Sequence, residues 1–231
     1  ISKIEALKYI SHLDWQGLLY KSVRKAGIKV AFTQGFNPSP KISLGVALPL
    51  FVESEGEYAD IEMQEKLDEN LLIKLLNKNL PENSRVLKAQ LIQYNEPSVD
   101  KLVTWAEYVG IAEKRFLLKN YNLECNIKNV LSSINFYIEK KTKKGFTKQI
   151  DIRPLVHSIE LCEDDINLKV KFIIKTGQAA LDEQLVQVSQ DSNNQNLASL
   201  RADDFLKNLN DEINWDIKRL KLFDKNLKEL L

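Results

Sequence analysis

The period of the apolar pattern changes in a fixed order along this chain, and that order restricts its folds more than any other feature. Residues 1–4 read as the tail of a strand. The Ser11 hydroxyl is placed to cap a helix, Asp14 three residues on completes an approximate capping box, and Trp15, Leu18, Leu19, Val23 and Ala26 follow at helical spacing. Gly27 suits the position just past the helix, where a left-handed residue is needed. Extended runs are predicted at 28–32, 41–50 and 57–63, the last with Ala59, Ile61 and Met63 on one face. Asp68 then caps a second helix carrying Leu72, Leu75, Leu76 and Leu80 and stopped by Pro81, and a strand is predicted over 85–94.

That succession is β-α-β-β-α-β, the split βαβ or ferredoxin-like unit. It recurs: 105–112 is strand-like, Ile127, Val130, Leu131 and Ile134 mark a helix, 136–140 is strand-like, and Leu168, Val170, Phe172 and Ile174 alternate. A helix at 181–188, or one at Ala202–Leu209, precedes a last strand at 215–222. The expected fold is α+β, with two ferredoxin-like halves whose antiparallel sheets carry helices on one face. The halves are residues 1–95 and a decorated 102–231, joined near Asn95 to Lys101.

At 231 residues and 44% hydrophobic, the chain has material for one sizeable core or two small ones. Lys and Arg number 33 against 32 Asp and Glu, so a polyanionic partner would have to be recognised by where the lysines lie and not by their sum. The longest apolar runs are too short to span a membrane and no secretory leader is visible, so the cytoplasm is the expected compartment. An opening at Ile1, without methionine, is expected of a piece of a longer polypeptide. Cys125 and Cys162 lie in unrelated contexts beside only two histidines; buried, reduced thiols are expected, with no metal site and no disulfide.

The loop after the first helix, from Thr33 to Ser43, is richer in shaped polar residues than a connector needs. Gly35 permits unusual backbone angles and Pro38 and Pro40 stiffen the exit, while Gln34, Asn37 and Lys41 offer polar groups. Functional groups concentrate on loops held by a rigid scaffold. The expected recognition surface is Tyr9, Ser11, His12, Asp14, Gln34, Gly35, Phe36, Asn37, Lys41 and Ser43. Gln34 and Asn37 would supply hydrogen bonds, Lys41 would meet an anion, and Phe36 would either stack on a ligand or anchor the loop.

These residues carry a resemblance. Tyr9-Ile10-Ser11-His12-Leu13-Asp14, the run Gln34-Gly35-Phe36-Asn37-Pro38 with Pro40-Lys41-Ile42-Ser43, and Ala47-Leu48-Pro49-Leu50 with Val52-Glu53-Ser54-Glu55-Gly56-Glu57-Tyr58 resemble the bacterial family DUF2344. Asp151-Ile152-Arg153-Pro154 and Gly177-Gln178-Ala179 extend the likeness more faintly. Members often continue the latter with Arg-Pro, where this chain has Ala180-Leu181, and often carry histidine in the loop, where it has Asn37 and Ser39. Such domains occur fused to, or encoded beside, a radical SAM protein. The resemblance therefore implies an accessory module whose partner, not this chain, holds an iron–sulfur cluster and S-adenosylmethionine. The chain itself has too few cysteines to ligate a cluster, and no cofactor is expected in it.

Three functions are compatible with this. The first is a module that helps a radical SAM partner engage RNA or a ribonucleoprotein. Lys169, Lys171 and Lys175 alternate on one strand, and Lys140, Lys141, Lys143, Lys144 and Lys148 surround Gly145 and Phe146, so two basic strips could meet a phosphate backbone. The second is a metal-independent endoribonuclease or other RNA-modifying enzyme using His12 as general acid or base, by analogy with tandem ferredoxin-like nucleases. The third is a domain that only docks the radical enzyme. Asp151 and Arg153 would share a strand face and pair with each other or with the loop of the other half, as an ion pair that fixes the inter-domain angle or, alternatively, as a substrate clamp. Glu53, Glu55, Glu57, Asp60 and Glu62 would form an acidic edge beside the loop.

Overall fold

The computed structural model describes residues 1–93, 96–116, 122–141, 147–176 and 199–230. It is a mixed α+β chain that divides into two compact units: residues 1–103 with 221–231, and residues 104–220. The first unit thus runs past residue 95 and takes back the C-terminal segment.

In the first unit, helix α1 (His12–Lys25) starts where its cap predicts. Ser11 Oγ accepts the Asp14 N–H at 3.1 Å and donates to the Asp14 carboxylate at 2.7 Å. Gly27 follows with φ +72°, the left-handed angle that its lack of a Cβ permits. Helix α2 (Glu69–Asn79) is capped by Asp68, whose carboxylate accepts the Leu71 N–H at 3.0 Å. The two helices bury Leu19, Val23 and Leu76 together with Val30, Ile42, Leu80 and Val86. Strands are short: β1 (Ile42–Leu44), β2 (Val52–Ser54) and β3 (Ala59–Ile61), with β1 antiparallel to β3 in the register Ile42↔Ile61, Ser43↔Asp60, Leu44↔Ala59.

All five strands predicted here shrink, 41–50 to Ile42–Leu44 and 57–63 to Ala59–Ile61. Residues 1–4 contribute one bridge, Lys3↔Ser54, before a 3₁₀ turn at Glu5–Tyr9, and 28–32 contribute the bridges Val30↔Met63 and Phe32↔Pro40. Residues 85–93 form no strand at all, and Tyr94 lies outside the described residues. The reason is that side chains take the backbone groups a ladder would use. Asn77 accepts the Val86 N–H at 2.7 Å and donates to the Val86 carbonyl at 3.2 Å. Ser2 Oγ accepts the Arg85 N–H at 2.9 Å, and the Glu69 carboxylate accepts the Leu91 N–H at 2.7 Å. A short helix, α3 (Val99–Leu102), lies at the end of the unit's 1–103 segment.

The second unit is regular. Its strands are β4 (Trp105–Glu113), β7 (Val156–Glu163), β8 (Asn167–Lys175) and the 216–220 part of β9 (Asp216–Phe223), in the order β9-β4-β8-β7. The hairpin of β5 (Tyr137–Lys141) and β6 (Thr147–Asp151) is inserted between helix α4 (Leu123–Ser132) and β7. Strand β8 is antiparallel to both neighbours, from Trp105↔Lys175 to Glu113↔Asn167 on one side and Val156↔Ile174 to Glu163↔Leu168 on the other. Alternation buries Leu168, Val170, Phe172 and Ile174 on one face, as the sequence predicts.

Helix α5 (Ala202–Leu209) covers that face with Phe205, Leu206 and Leu209, and the Phe172 and Phe205 rings meet at 4.8 Å. A Cβ on Gly110 would fall 2.7 Å from Leu206 and 3.2 Å from Trp215, so glycine here sets how closely helix and sheet approach. The alternative helix at 181–188 lies outside the described residues, as do Lys143, Lys144, Gly145, Phe146 and the Gly177-Gln178-Ala179 element. Both cysteines are exposed free thiols, against the expectation of burial. Cys162 sits opposite Lys169, on the face of the sheet turned away from the buried Leu168, Val170, Phe172 and Ile174.

Candidate functional site

The loop after α1 is built from its base upward. Phe32 and Pro40 bridge its ends, Lys41 N–H donates to the Ala31 carbonyl at 2.8 Å, and Ala31 N–H donates to the Glu62 carbonyl at 2.7 Å. Thr33 closes the neck twice: its N–H donates to the Ser39 carbonyl at 2.9 Å, and its hydroxyl accepts the Ser39 N–H at 2.9 Å. Between those two residues Gln34, Gly35, Phe36, Asn37 and Pro38 are all exposed, with Gly35 at φ +135°. Phe36 is fully exposed, at 106%. Of its two expected roles, the structure removes that of a core anchor.

The other expected residues divide. Ser11 and Asp14 serve the α1 cap, and His12 is the first residue of that helix and half-buried. Ser43 pairs with Asp60 in β1/β3. Lys41, expected to meet an anion, has an internal one: Glu62 lies 2.9 Å away, with both side chains about one-third exposed at 36%.

Tyr9 is exposed and meets a residue that the sequence reading did not single out, Phe51, edge to face at 5.8 Å. Phe51 N–H donates to the Lys8 carbonyl at 2.9 Å, and Phe51 holds φ +68°, a strained angle for a bulky side chain. The turn after Pro49 was a signal for irregular backbone there, but not for which ring it would expose.

Asp151 and Arg153 neither share a strand face nor form a clamp. Asp151 ends β6, and Arg153 opens a 3₁₀ turn, Arg153–Leu155. The Asp151 carboxylate accepts from Asn135 Nδ2 at 2.6 Å, the Phe136 N–H at 2.9 Å and the Arg153 N–H at 3.0 Å. The guanidinium turns the other way, to the carbonyls of Val156 at 2.8 Å and Leu131 at 3.5 Å. Burial pushes the Asp151 carboxyl up, but those three hydrogen bonds and the Arg153 charge outweigh it and hold the group below the ordinary carboxylate range. The element fastens the entrance of β5 to the exit of β6.

The acidic edge is likewise used internally. Glu53 accepts the Glu5 N–H at 3.0 Å, Glu57 is buried, and Asp60 accepts the Val99 N–H at 2.6 Å. Burial, with Asp100 and Glu96 nearby, raises the Asp60 carboxyl above its usual range despite that hydrogen bond. Among the described residues no cluster of three or more acidic, histidine or cysteine side chains is arranged to hold a metal ion.

The lysines expected to contact RNA are partly committed. Lys169 lies 2.7 Å from Asp164 and Lys171 lies 2.9 Å from Glu107. The backbones of Lys140 and Lys141 run in β5, opposite Lys148 and Thr147. No helix among the described residues is long and apolar enough to cross a membrane.

A family model described as an uncharacterized protein conserved in bacteria, DUF2344, matches residues 1–194, and the chain belongs to that family. No curated protein gives a significant match.

Proposed function

We propose that this DUF2344 chain is a non-catalytic recognition module that presents the 33–43 loop to a radical SAM protein, the partner implied by the family resemblance. The observation that carries the reading is the loop itself. Its neck is closed by paired Thr33 and Ser39 bonds while the Phe36 ring stands wholly in water. An apolar ring held out by a short, proline-stiffened loop loses little conformational freedom on docking, which is how rigid aromatic anchors contribute to interfaces. The side chains around it serve structure: Ser11 and Asp14 cap α1, and Lys41 is neutralised by Glu62. That distribution favours presentation of a surface over chemistry at His12.

In the second unit the order β9-β4-β8-β7, with α4 and α5 as the intervening helices, supports a ferredoxin-like reading of that half, with the β5–β6 hairpin as its decoration.

The test is association of the chain with the radical SAM protein fused to or encoded beside its relatives, measured by calorimetry. Phe36→Ala is expected to weaken binding by roughly tenfold or more, since truncating an interface anchor commonly costs that much, and to leave the unfolding temperature unchanged. Equal binding by wild type and variant overturns the reading. Cleavage of RNA by the purified chain, lost in His12→Ala, would replace it with the enzyme.

A further inference from the structure

The face of the second unit's sheet turned away from α5 carries a feature that the loop reading does not use. Strand β7 has a bulge where Val156 pairs with Ile174 and Ser158 with Ile173, leaving His157 as the extra residue. A bulge re-aims the side chain it displaces. Here the exposed imidazole of His157 meets the partly exposed indole of Trp105, with centroids 5.8 Å apart and planes at 61°. Trp105 belongs to β4 and His157 to β7, and β8 runs between them. The two rings therefore lean toward each other over the middle strand. Lys175 is directly opposite Trp105 in that strand, on the same face. Along the rest of the face positive and negative groups cancel pairwise, Lys171 with Glu107 and Lys169 with Asp164, and Glu160 lies opposite Lys171. No acidic residue stands opposite Lys175 in the ladder, so the ring-bearing end has a cation beside two rings set edge to face, where the far end is neutralised.

We propose that this end of the sheet, formed by Trp105, His157 and Lys175, is a stacking platform for single-stranded RNA. The rings of Trp105 and His157 take the faces of adjacent bases, and Lys175 meets the phosphate between them. Flat aromatic and imidazole faces on a sheet suit unpaired bases, whose π surfaces are open. A duplex hides those surfaces and does not fit. One lysine, with the other two on the strand already neutralised, gives a platform in which stacking supplies more of the affinity than charge does. The site stands on the second unit alone and is independent of the role of the 33–43 loop.

The experiment is fluorescence anisotropy of a labelled oligouridine of about eight nucleotides, roughly the footprint of one small module, titrated with the full chain at about 50 mM salt. Binding is expected, weakened roughly tenfold by Trp105→Ala and largely restored in Trp105→Phe, which keeps an aromatic face. Lys175→Gln is expected to weaken binding a few-fold and to lower the salt slope by about one. Phe36→Ala should bind like wild type, which separates this site from the loop. Comparable affinity for single-stranded DNA supports the proposal, because stacking does not read the sugar. Circular dichroism establishes that each variant is folded, and Lys175→Gln, a change at a partly exposed position, tests the site even where Trp105→Ala is unstable. No binding by the wild-type chain, binding unchanged in both Trp105→Ala and Lys175→Gln, or preference for the duplex overturns it.

Discussion

The two units satisfy their backbones differently. In the second, strands answer strands: nine consecutive residues of β4, Trp105–Glu113, are in register with β8, and the helices cover one face of that ladder. In the first, the longest ladder is the three-residue pairing of β1 with β3, and side chains of Ser2, Asn77, Glu69 and Asp60 take main-chain groups that a sheet would have paired. Non-local side-chain bonds fix irregular paths, and such paths are what hold out a loop like 33–39. The regular sheet offers a flat face instead. The same chain thus has a unit suited to projecting a shaped loop and a unit suited to presenting a platform.

Breaking the cores is expected to have the largest effect. Phe205→Ala removes the buried ring that meets Phe172 and should cost about 3–5 kcal/mol in chemical denaturation. Gly110→Ala pushes a methyl group against buried Leu206 and should cost about 1–3 kcal/mol by overpacking, measured the same way. The first unit is tested by Asn77→Leu, which leaves the Val86 N–H and carbonyl without their partner. A loss of about 1–3 kcal/mol is expected, and a null result would mean that side chains do not hold the 85–93 path. Ser11→Ala, which removes the α1 cap, is expected to lower stability by about 1 kcal/mol.

Acid sharpens the contrast further. Asp151 has a folded pKa below its unfolded value, so its contribution to the second unit is present above the ordinary carboxylate range and disappears as pH falls through that range and below it. Asp60 has the opposite sign: its folded form binds a proton more readily, so the first unit carries an electrostatic penalty at neutral pH that is relieved as pH falls through the raised value. Asp60→Asn keeps an acceptor for the Val99 N–H and should flatten the pH dependence of stability above the ordinary carboxylate range. Asp151→Asn should flatten it below. Denaturation curves from acid to neutral pH check both, and identical profiles for the two variants would refute the contrast.

Local patterns legible in the sequence survived wherever a group's partner lay a few residues away. Ser11 with Asp14, Asp68 with Leu71, the left-handed Gly27 and the alternation from Leu168 to Ile174 all depend on spacing alone. The strand predicted at 85–94 failed because apolar alternation says nothing about Asn77 or Ser2, whose side chains reach that backbone from distant positions. Asp151 and Arg153 stand out by their charges, yet most of the partners that define them, Asn135, Phe136 and Leu131, lie beyond any local window.

By itself, then, the sequence determined the helices with their caps, the buried face of β8 and a shaped loop with glycine and proline in the right places. These follow from the periodicity of a chain and the conformational limits of single residues. Only the tertiary structure decided that Phe36 faces water, that Lys41, Lys169 and Lys171 already have carboxylates, and that Trp105 meets His157 across an intervening strand. Which charges remain available and which rings converge depends on register, and register is fixed by contacts between residues far apart in the chain.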